Sequence, residues 1–498
     1  MIVFGAFVLA SFYRAVHFAL TGFFVPDEYA YTYFHLGEID YQSRQFFNGV
    51  NALFFWLFNV KGPDKVAWFM PFYFISWFTV GIGSAYKTIK LLTYDESTIA
   101  KTLLLSLTVP IFFLFGVTIL VEPVAFGVVM LGICLTVWFW KSSSDWRYLV
   151  PSASALLFSA ASLTHGDFII FQVLGWVPLL AVELKRNKNL LRAAVILVLF
   201  LVPAIFFFYW PYQSGPGFYS STQIAIQNAG GNGNPNGPQA INGQTVGGAV
   251  SHYGFSIYNT FRLFFEGMVL GWNPVVCVIV AGGLFHSIYK KRYMAFWLGL
   301  MSIGTFAGTA FIYSSAPVTL STLIRYAYDA LPAFFIFAPL VLMKLNSRKA
   351  FALVAVGLTV TGLAGALVYQ SYLQSNLGGS YPFLNGNQSF LGLDYRAPLA
   401  QVRDYFHSLP RQHFDVLAQT RSLAENETTN WNFTPGVSDI SVTFYPYDST
   451  KLFPHFYLYL EPGWQSFKDN ASIAALLSLN YTTIYDTQSF FLGEVTLK

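Results

Sequence analysis

Apolar residues run in long, nearly unbroken blocks along the first three quarters of the chain, with polar residues confined to short connections between them. A helix needs about 20 such residues to cross about 30 Å of hydrocarbon. About eleven segments meet that requirement, at residues 2–25, 66–86, 102–120, 123–140, 148–164, 168–184, 191–211, 268–288, 294–313, 325–343 and 350–372. The first is read as a helix rather than a cleaved leader, because it lacks a basic start and a small-residue cleavage site and runs into Pro26. Two connections are long. Residues 26–65 carry Phe46, Phe47, Val50, Leu53, Phe54 and Leu57 at spacings of 3 and 4, the pattern of a surface helix with one apolar face. Residues 212–256 hold no Lys, Arg, Asp or Glu and include GGNGNPNGPQAINGQTVGG, which suits either a lid over a site or a connector.

Beyond residue 372 the apolar runs shorten and turn residues multiply. The pattern predicts a membrane domain over 1–372 and a separate domain over 373–498. In the latter, APLAQVRDYFHS and DNASIAALLSL read as helices and FDVLAQT, ISVTF, FYLYLE and NYTTIYD as strands, a small mixed α/β domain.

Composition fixes the class. The 498 residues are 55% hydrophobic, 19% aromatic and 10% charged, with mean hydropathy +0.49, where soluble domains carry about 25% charged residues. The chain is an α-helical polytopic membrane protein. A large soluble enzyme, a disordered scaffold and a nucleic-acid binder all need a charged surface that it does not have. Cys134 and Cys277 lie inside apolar runs, so neither a disulfide framework nor a cysteine metal site is expected.

The net charge of +4 matters less than its distribution. One set of connections holds fifteen Lys and Arg, from Lys87 to Lys349, against only Asp95, Glu96, Asp145 and Glu183. Retention of cations marks that face as cytoplasmic. Asp27, Glu28, Glu38, Asp40, Asp64, Glu122, Asp167 and Glu266 collect in the opposite connections. The expectation is a cytoplasmic N-terminus and an extracytoplasmic C-terminal domain. Five Asn-x-Ser/Thr sequons, at Asn387, Asn426, Asn432, Asn470 and Asn480, all fall in that domain, either as glycosylation sites or because polar segments are rich in Asn, Ser and Thr. The placement suits a bacterial or archaeal plasma membrane ahead of an endoplasmic reticulum.

Candidate chemistry sits on the acidic face. Asp27 and Glu28 are adjacent carboxylates where the first span leaves the hydrocarbon, and partial burial beside a like charge tunes such a pair toward general-base work. The bland reading is a helix-end acid. Glu122 and Asp167 occupy two further outer turns, His165 stands two residues before Asp167, and Arg44 and Arg325 lie on the same face. Acids converging with cations suit a reaction on a charged, lipid-borne substrate: Glu28, Glu122 and Asp167 could hold a divalent ion such as Mg or Mn, while Arg325, His165 and Arg44 neutralise a departing phosphate. Arg14 lies near the middle of a span at a cost of about 2.5–3.5 kcal/mol, so it should face the bundle interior, with His17 one turn away; it either supports the site or only locks helices together.

The order of these features resembles the GT-C class of polytopic glycosyltransferases, which includes protein O-mannosyltransferases and the aminoarabinose transferases of lipid A. PDEYAYTYF is similar to its acidic first-loop motif, and SRQFFNGVNALFFWLFNVKGPDKVAWFMPFYF to its Arg-led surface helix. TILVEPVAFGVVMLGICLTVWFW resembles its Glu-bearing turn, and IRYAYDALPAFFIFAPLVL its Arg-Tyr, Leu-Pro helix. The set covers most of residues 1–345. The resemblance implies transfer of a sugar from a polyprenyl or dolichyl phosphate donor to a protein, glycan or lipid acceptor on the outer leaflet, with Asp27 as the base, inversion at the anomeric carbon, and Glu28 assisting or binding metal. THGDF departs from the class pattern. A polytopic transporter would place ionisable groups at mid-bilayer in two similar halves, and no internal repeat is visible. A non-catalytic assembly protein with an outer domain is the other alternative. An oligosaccharyltransferase would carry a WWDYG-like motif, which the C-terminal domain lacks.

Overall fold

The fold was analysed in a computed structural model. It describes residues 2–21, 45–60, 66–109 except 94, 111–112, 116, 121–213, 257–313, 326–345, 351–352, 354–357, 360, 405–406, 408–409, 414–418, 440–444, 455–460, 481–486 and 491–496. Asp27, Glu28, Arg44, Arg325, all five sequons and the 214–256 loop lie outside these residues.

The chain divides into two compact units. The first comprises Met1–Phe12, Phe34–Val60 and Phe69–Gly365; the second comprises Tyr13–Tyr33, Lys61–Trp68 and Ala366–Lys498.

Helices dominate the first part of the chain: α1 (Ile2–Thr21), α2 (Gln45–Leu57), α3 (Val66–Thr93), α4 (Glu96–Ser106), α5 (Val121–Lys141), α6 (Val150–Thr164), α7 (Ile169–Leu174), α8 (Trp176–Asn187), α9 (Leu190–Gln213), α10 (Ile257–Trp272), α11 (Pro274–Tyr289), α12 (Tyr293–Tyr313) and α13 (Leu331–Leu342). Among the described residues four helical stretches are long and apolar enough to cross a membrane, at Val121–Lys141, Gly166–Asn187, Leu190–Phe208 and Tyr293–Phe311, or five with the bent pair described below.

Two kinds of apolar helix emerge. In α13 every residue but Val341 is buried, and it packs against α4, α5, α11 and α12 as the centre of the first unit. By contrast α9, also strongly apolar, leaves Leu190, Leu191, Val198 and Val202 exposed. A helix apolar all round and open on one side fits hydrocarbon as its solvent. Close packing at the centre depends on glycine. A Cβ on Gly283 of α11 would strike the backbone carbonyl of Phe337, and one on Gly299 of α12 would strike the Phe337 ring, so both helices approach this phenylalanine closely, one at its backbone and one at its ring.

Three local outcomes differ from the sequence pattern. The segment expected as one span over 268–288 is a pair, α10 and α11, bent by 111°. Pro274 restricts the residue before it and removes a donor, and Asn273 takes φ 87° while its side chain caps Val275 N at 3.0 Å. The expected span 168–184 is present within the stretch Gly166–Asn187, with one irregular residue at Gly175, where a Cβ would meet Phe171 O and the Phe158 ring. The surface helix α2 forms, but its packed stripe is Phe47, Asn48, Asn51 and Phe55, leaving Leu53, Trp56 and Leu57 open. Tyr73 decides that register: its hydroxyl donates to Asn51 Oδ1 at 2.6 Å, so the Asn face must turn inward and apolar side chains are left for lipid.

On the basic face, Asp95 caps α4 by accepting from Ser97 N and Thr98 N at 3.0 and 3.1 Å. Hydrogen bonding, from the Thr98 hydroxyl most of all, holds its carboxyl below the usual range. Arg147 and Glu183 form a buried pair at 3.5 Å, with Asn187 Nδ2 donating to the second Glu183 oxygen.

The second unit contains a five-stranded mixed sheet, β1 (Phe414–Ala418), β2 (Ile440–Phe444), β3 (His455–Leu460), β4 (Tyr481–Asp486) and β5 (Phe491–Thr496), in the order β2-β1-β3-β5-β4. β1 lies parallel to β2 and β3, and β5 antiparallel to β3 and β4. The four strands read from sequence are present, while the expected helices over 397–408 and 469–479 lie largely outside the described residues. β5 was not read as a strand, because Gly493 and Glu494 interrupt its apolar pattern. Phe456, Leu458, Phe491, Leu492 and Val495 are buried in the sheet, and Phe406 packs edge-on against Tyr457 at 5.0 Å.

Candidate functional site

Helix termini build the polar centre of the first unit. α6 ends at His165, whose extended backbone (φ −142°, ψ 113°) breaks the helix. A 3-10 turn, Gly166–Phe168, follows and leads into α7 with Asp167 in its first turn. A second 3-10 turn, Ala327–Ala330, carries Asp329 into α13, which opens with Pro332. Glu122 sits in the first turn of α5. The three acids thus lie at helix N-termini, where the peptide dipoles favour negative charge, and the imidazole lies at a C-terminus, where they favour positive charge.

These side chains meet. His165 Nδ1 lies 2.9 Å from Asp329 Oδ2 and 3.6 Å from Asp167 Oδ2, with the three side chains 2%, 0% and 8% exposed. Thr309, near the end of α12, donates its hydroxyl to Asp167 Oδ2 at 2.7 Å. Glu122 is fully buried and within electrostatic reach of Asp329 and Tyr328. The Tyr326 ring packs 5.4 Å from the imidazole, and Trp272 Nε1 donates to Ala327 O at 2.8 Å, fixing the turn that carries Asp329. Asp329 Oδ1 has no hydrogen-bond partner among the described residues.

One ring nitrogen and two carboxylates, each able to give one ligand atom within 4.8 Å of the others, form a set that could hold a metal ion. A buried carboxylate oxygen without a donor fits that use, since such an oxygen otherwise carries an uncompensated desolvation cost. The donor set of one imidazole and carboxylates suits Mn2+ or Zn2+ as well as Mg2+.

Of the residues singled out from sequence, Glu122, His165 and Asp167 are brought to one end of the helices. Arg14 and His17 fall on α1, and only its backbone is described there. Asp329 was missed. It was an acid inside an apolar span, a position that is functional by default, but it read as part of the RYAYDALP helix start.

No family model matches the sequence, and no curated protein sequence matches it. Among solved structures, ArnT from Cupriavidus metallidurans in the apo state aligns with TM-score 0.61 at 14% identity, covering 99% of this chain and 97% of that one. The same protein bound to undecaprenyl phosphate aligns with TM-score 0.58, at the same identity and coverage. This chain shares its fold with those structures. The similarity at this identity lies in architecture.

Proposed function

We propose that the protein is an integral-membrane glycosyltransferase that moves a sugar from a polyprenyl phosphate donor to an acceptor on the extracytoplasmic side. The observation that carries the reading is the fold shared with ArnT, over 99% of the chain, with a buried acid–imidazole cluster where helices begin and end on the predicted outer face. In the proposed reaction the acceptor hydroxyl attacks the anomeric carbon, the bond from that carbon to the phosphate oxygen breaks, and polyprenyl phosphate leaves with the electron pair. Asp27 takes the hydroxyl proton and the configuration inverts. Support for Asp27 is its position beside Glu28 where the first span ends. Arg325 immediately precedes Tyr326, whose ring packs on His165, and its sequence position suits a cation for the leaving phosphate.

The buried cluster gives the metal reading a more specific form. His165, Asp167 and Asp329 would hold a divalent ion, with Glu122 supplying further negative charge. When bound, such an ion would neutralise phosphate charge. The outer placement of the C-terminal domain and the expected sequon use belong to the same proposal.

Labelled polyprenyl-phosphate sugars supplied to membranes containing the protein test it. Labelled acceptor is expected with the natural chain, and at least a hundredfold less with Asp27→Asn at unchanged thermal stability. Full transfer by Asp27→Asn would remove the assigned base. The bent pair at Asn273 is the one observation that favours a transporter, since discontinuous helices line transport sites. Solute uptake by purified protein in vesicles without any covalent product would establish that reading instead.

A further inference from the structure

The end of the helices away from the acids carries a site of opposite sign. α5 runs from Glu122 to Trp140 and α12 from Thr309 back to Tyr293, so about 24–27 Å of helix, close to one hydrocarbon thickness, separates the two ends. At Trp140 and Tyr293 a cavity of about 480 Å³ opens between the C-terminal ends of α3, α5 and α8 and the turn joining α11 to α12. Lys185, Arg186, Lys290, Lys291 and Arg292 all line it. Lys and Arg ion pairs among the described residues of this unit join Lys90 to Glu96, Arg147 to Glu183 and Arg262 to Glu266, and none reaches these five cations. Arg186 donates to Ser142 O, and Lys185 and Lys290 lie over the Tyr293 and Tyr289 rings at 5.9 and 4.8 Å.

Two further features set the ligand's shape. The first turn of α12 lines the cavity through Met294 and Ala295, and its backbone donors have no partner within the helix, so they and the dipole add to the pull on an anion. The remaining lining is largely apolar, with Leu92, Trp140, Val182 and Trp297 beside Met294. Five cations and a helix N-terminus lining one cavity with tryptophans and aliphatic side chains match a molecule with a phosphate head and a greasy tail.

We propose that this cavity binds the headgroup of an anionic phospholipid from the same leaflet. The inference rests on the chain spanning a membrane and is independent of its catalytic role. The full-length protein, purified in neutral detergent, is exposed to phosphatidylglycerol, phosphatidylcholine or inorganic phosphate, and retained lipid is counted by native mass spectrometry beside the melting temperature. Phosphatidylglycerol is expected to be retained at least tenfold more than phosphatidylcholine and to raise the melting temperature, with inorganic phosphate doing neither. Lys290→Gln/Lys291→Gln/Arg292→Gln, and separately Lys185→Gln/Arg186→Gln, should each cut phosphatidylglycerol retention at least fivefold. Equal retention of the two lipids, or full retention in both variants, overturns the site. Stabilisation by inorganic phosphate equal to that by phosphatidylglycerol would assign the cavity to a free anion and overturn the lipid reading.

Discussion

His165→Gln and Asp329→Asn, singly and together, probe how the buried cluster is held. His165 Nδ1 and Asp329 Oδ2 are 2.9 Å apart and almost fully buried. A hydrogen bond with a charged partner contributes about 1.5–3 kcal/mol net, and a buried group left without its partner costs about 1–3 kcal/mol more. The two substitutions are not symmetric, because Asp167 and Glu122 repel the Asp329 carboxylate while His165 attracts it. His165→Gln removes the attraction and keeps the repulsion, for an expected loss of about 3 kcal/mol. Asp329→Asn loses the same contact but also relieves the repulsion, for an expected loss of about 1 kcal/mol. Once His165→Gln is made, Asp329→Asn should add little, so the double variant also loses about 3 kcal/mol, a coupling of about 1 kcal/mol in a double-mutant cycle. Unfolding in mixed micelles, with a chelator present so that only the protein's own groups contribute, measures all four corners. Asp329→Asn proving the more damaging change would refute the electrostatic ordering, and a coupling under about 0.5 kcal/mol, the level of independent sites, would refute the contact itself.

The remaining predictions concern metal, packing and the long loop. Mn2+ or Zn2+ at a hundred times its dissociation constant should stabilise the natural chain by about 2.7 kcal/mol, and Asp329→Asn should lose most of that gain; transfer that survives thorough chelation removes the ion from the mechanism. Gly283→Ala drives a methyl group into the Phe337 carbonyl and should cost about 1–3 kcal/mol, read as a fall in melting temperature larger than that of Gly357→Ala, where nothing lies within 4 Å. Deleting residues 228–248 should lower kcat/KM at least tenfold at unchanged melting temperature, and unchanged kinetics would make that loop a connector.

Hydrophobic runs locate the helices well because burial in lipid and burial in protein both demand apolar residues; α5, α9 and α12 lie within a few residues of the predicted spans. The same equivalence hides which helices are central. Leu331–Leu342 and Leu190–Gln213 read alike as sequence, yet one is enclosed by four helices and the other faces outward. Breaks were legible only in hindsight of geometry. The Trp-Asn-Pro sequence at 272–274 contains every element of a sharp bend, a residue tolerant of positive φ before a proline, but the apolar run across it outweighs that signal in any window of about 20 residues. Gly175 is subtler still, because what requires a glycine there is the Phe158 ring approaching from another helix.

The site was half legible for a related reason. Glu122 and Asp167 stood out as acids in the short connections between apolar runs, and His165 stood out by its distance of two residues from Asp167. Asp329 was embedded in a span, and its meaning depends on a turn that only the fold reveals. Yet the arrangement obeys a rule that sequence does carry. Helices alternate in direction across a membrane, so at one face some begin and others end. α5, α7 and α13 begin at the cluster and each brings an acid in or just before its first turn; α6 ends there and brings the imidazole. The dipoles therefore reduce the cost of holding three carboxylates in a buried place, by about 0.3–1 kcal/mol each. That is too little to offset their mutual repulsion and desolvation, which run to several kcal/mol per ion. A positive charge from a divalent ion, a proton or a neighbouring guanidinium has to complete the cluster, and the chelation experiment separates the first from the other two: only an ion makes the stability of this end of the bundle depend on metal.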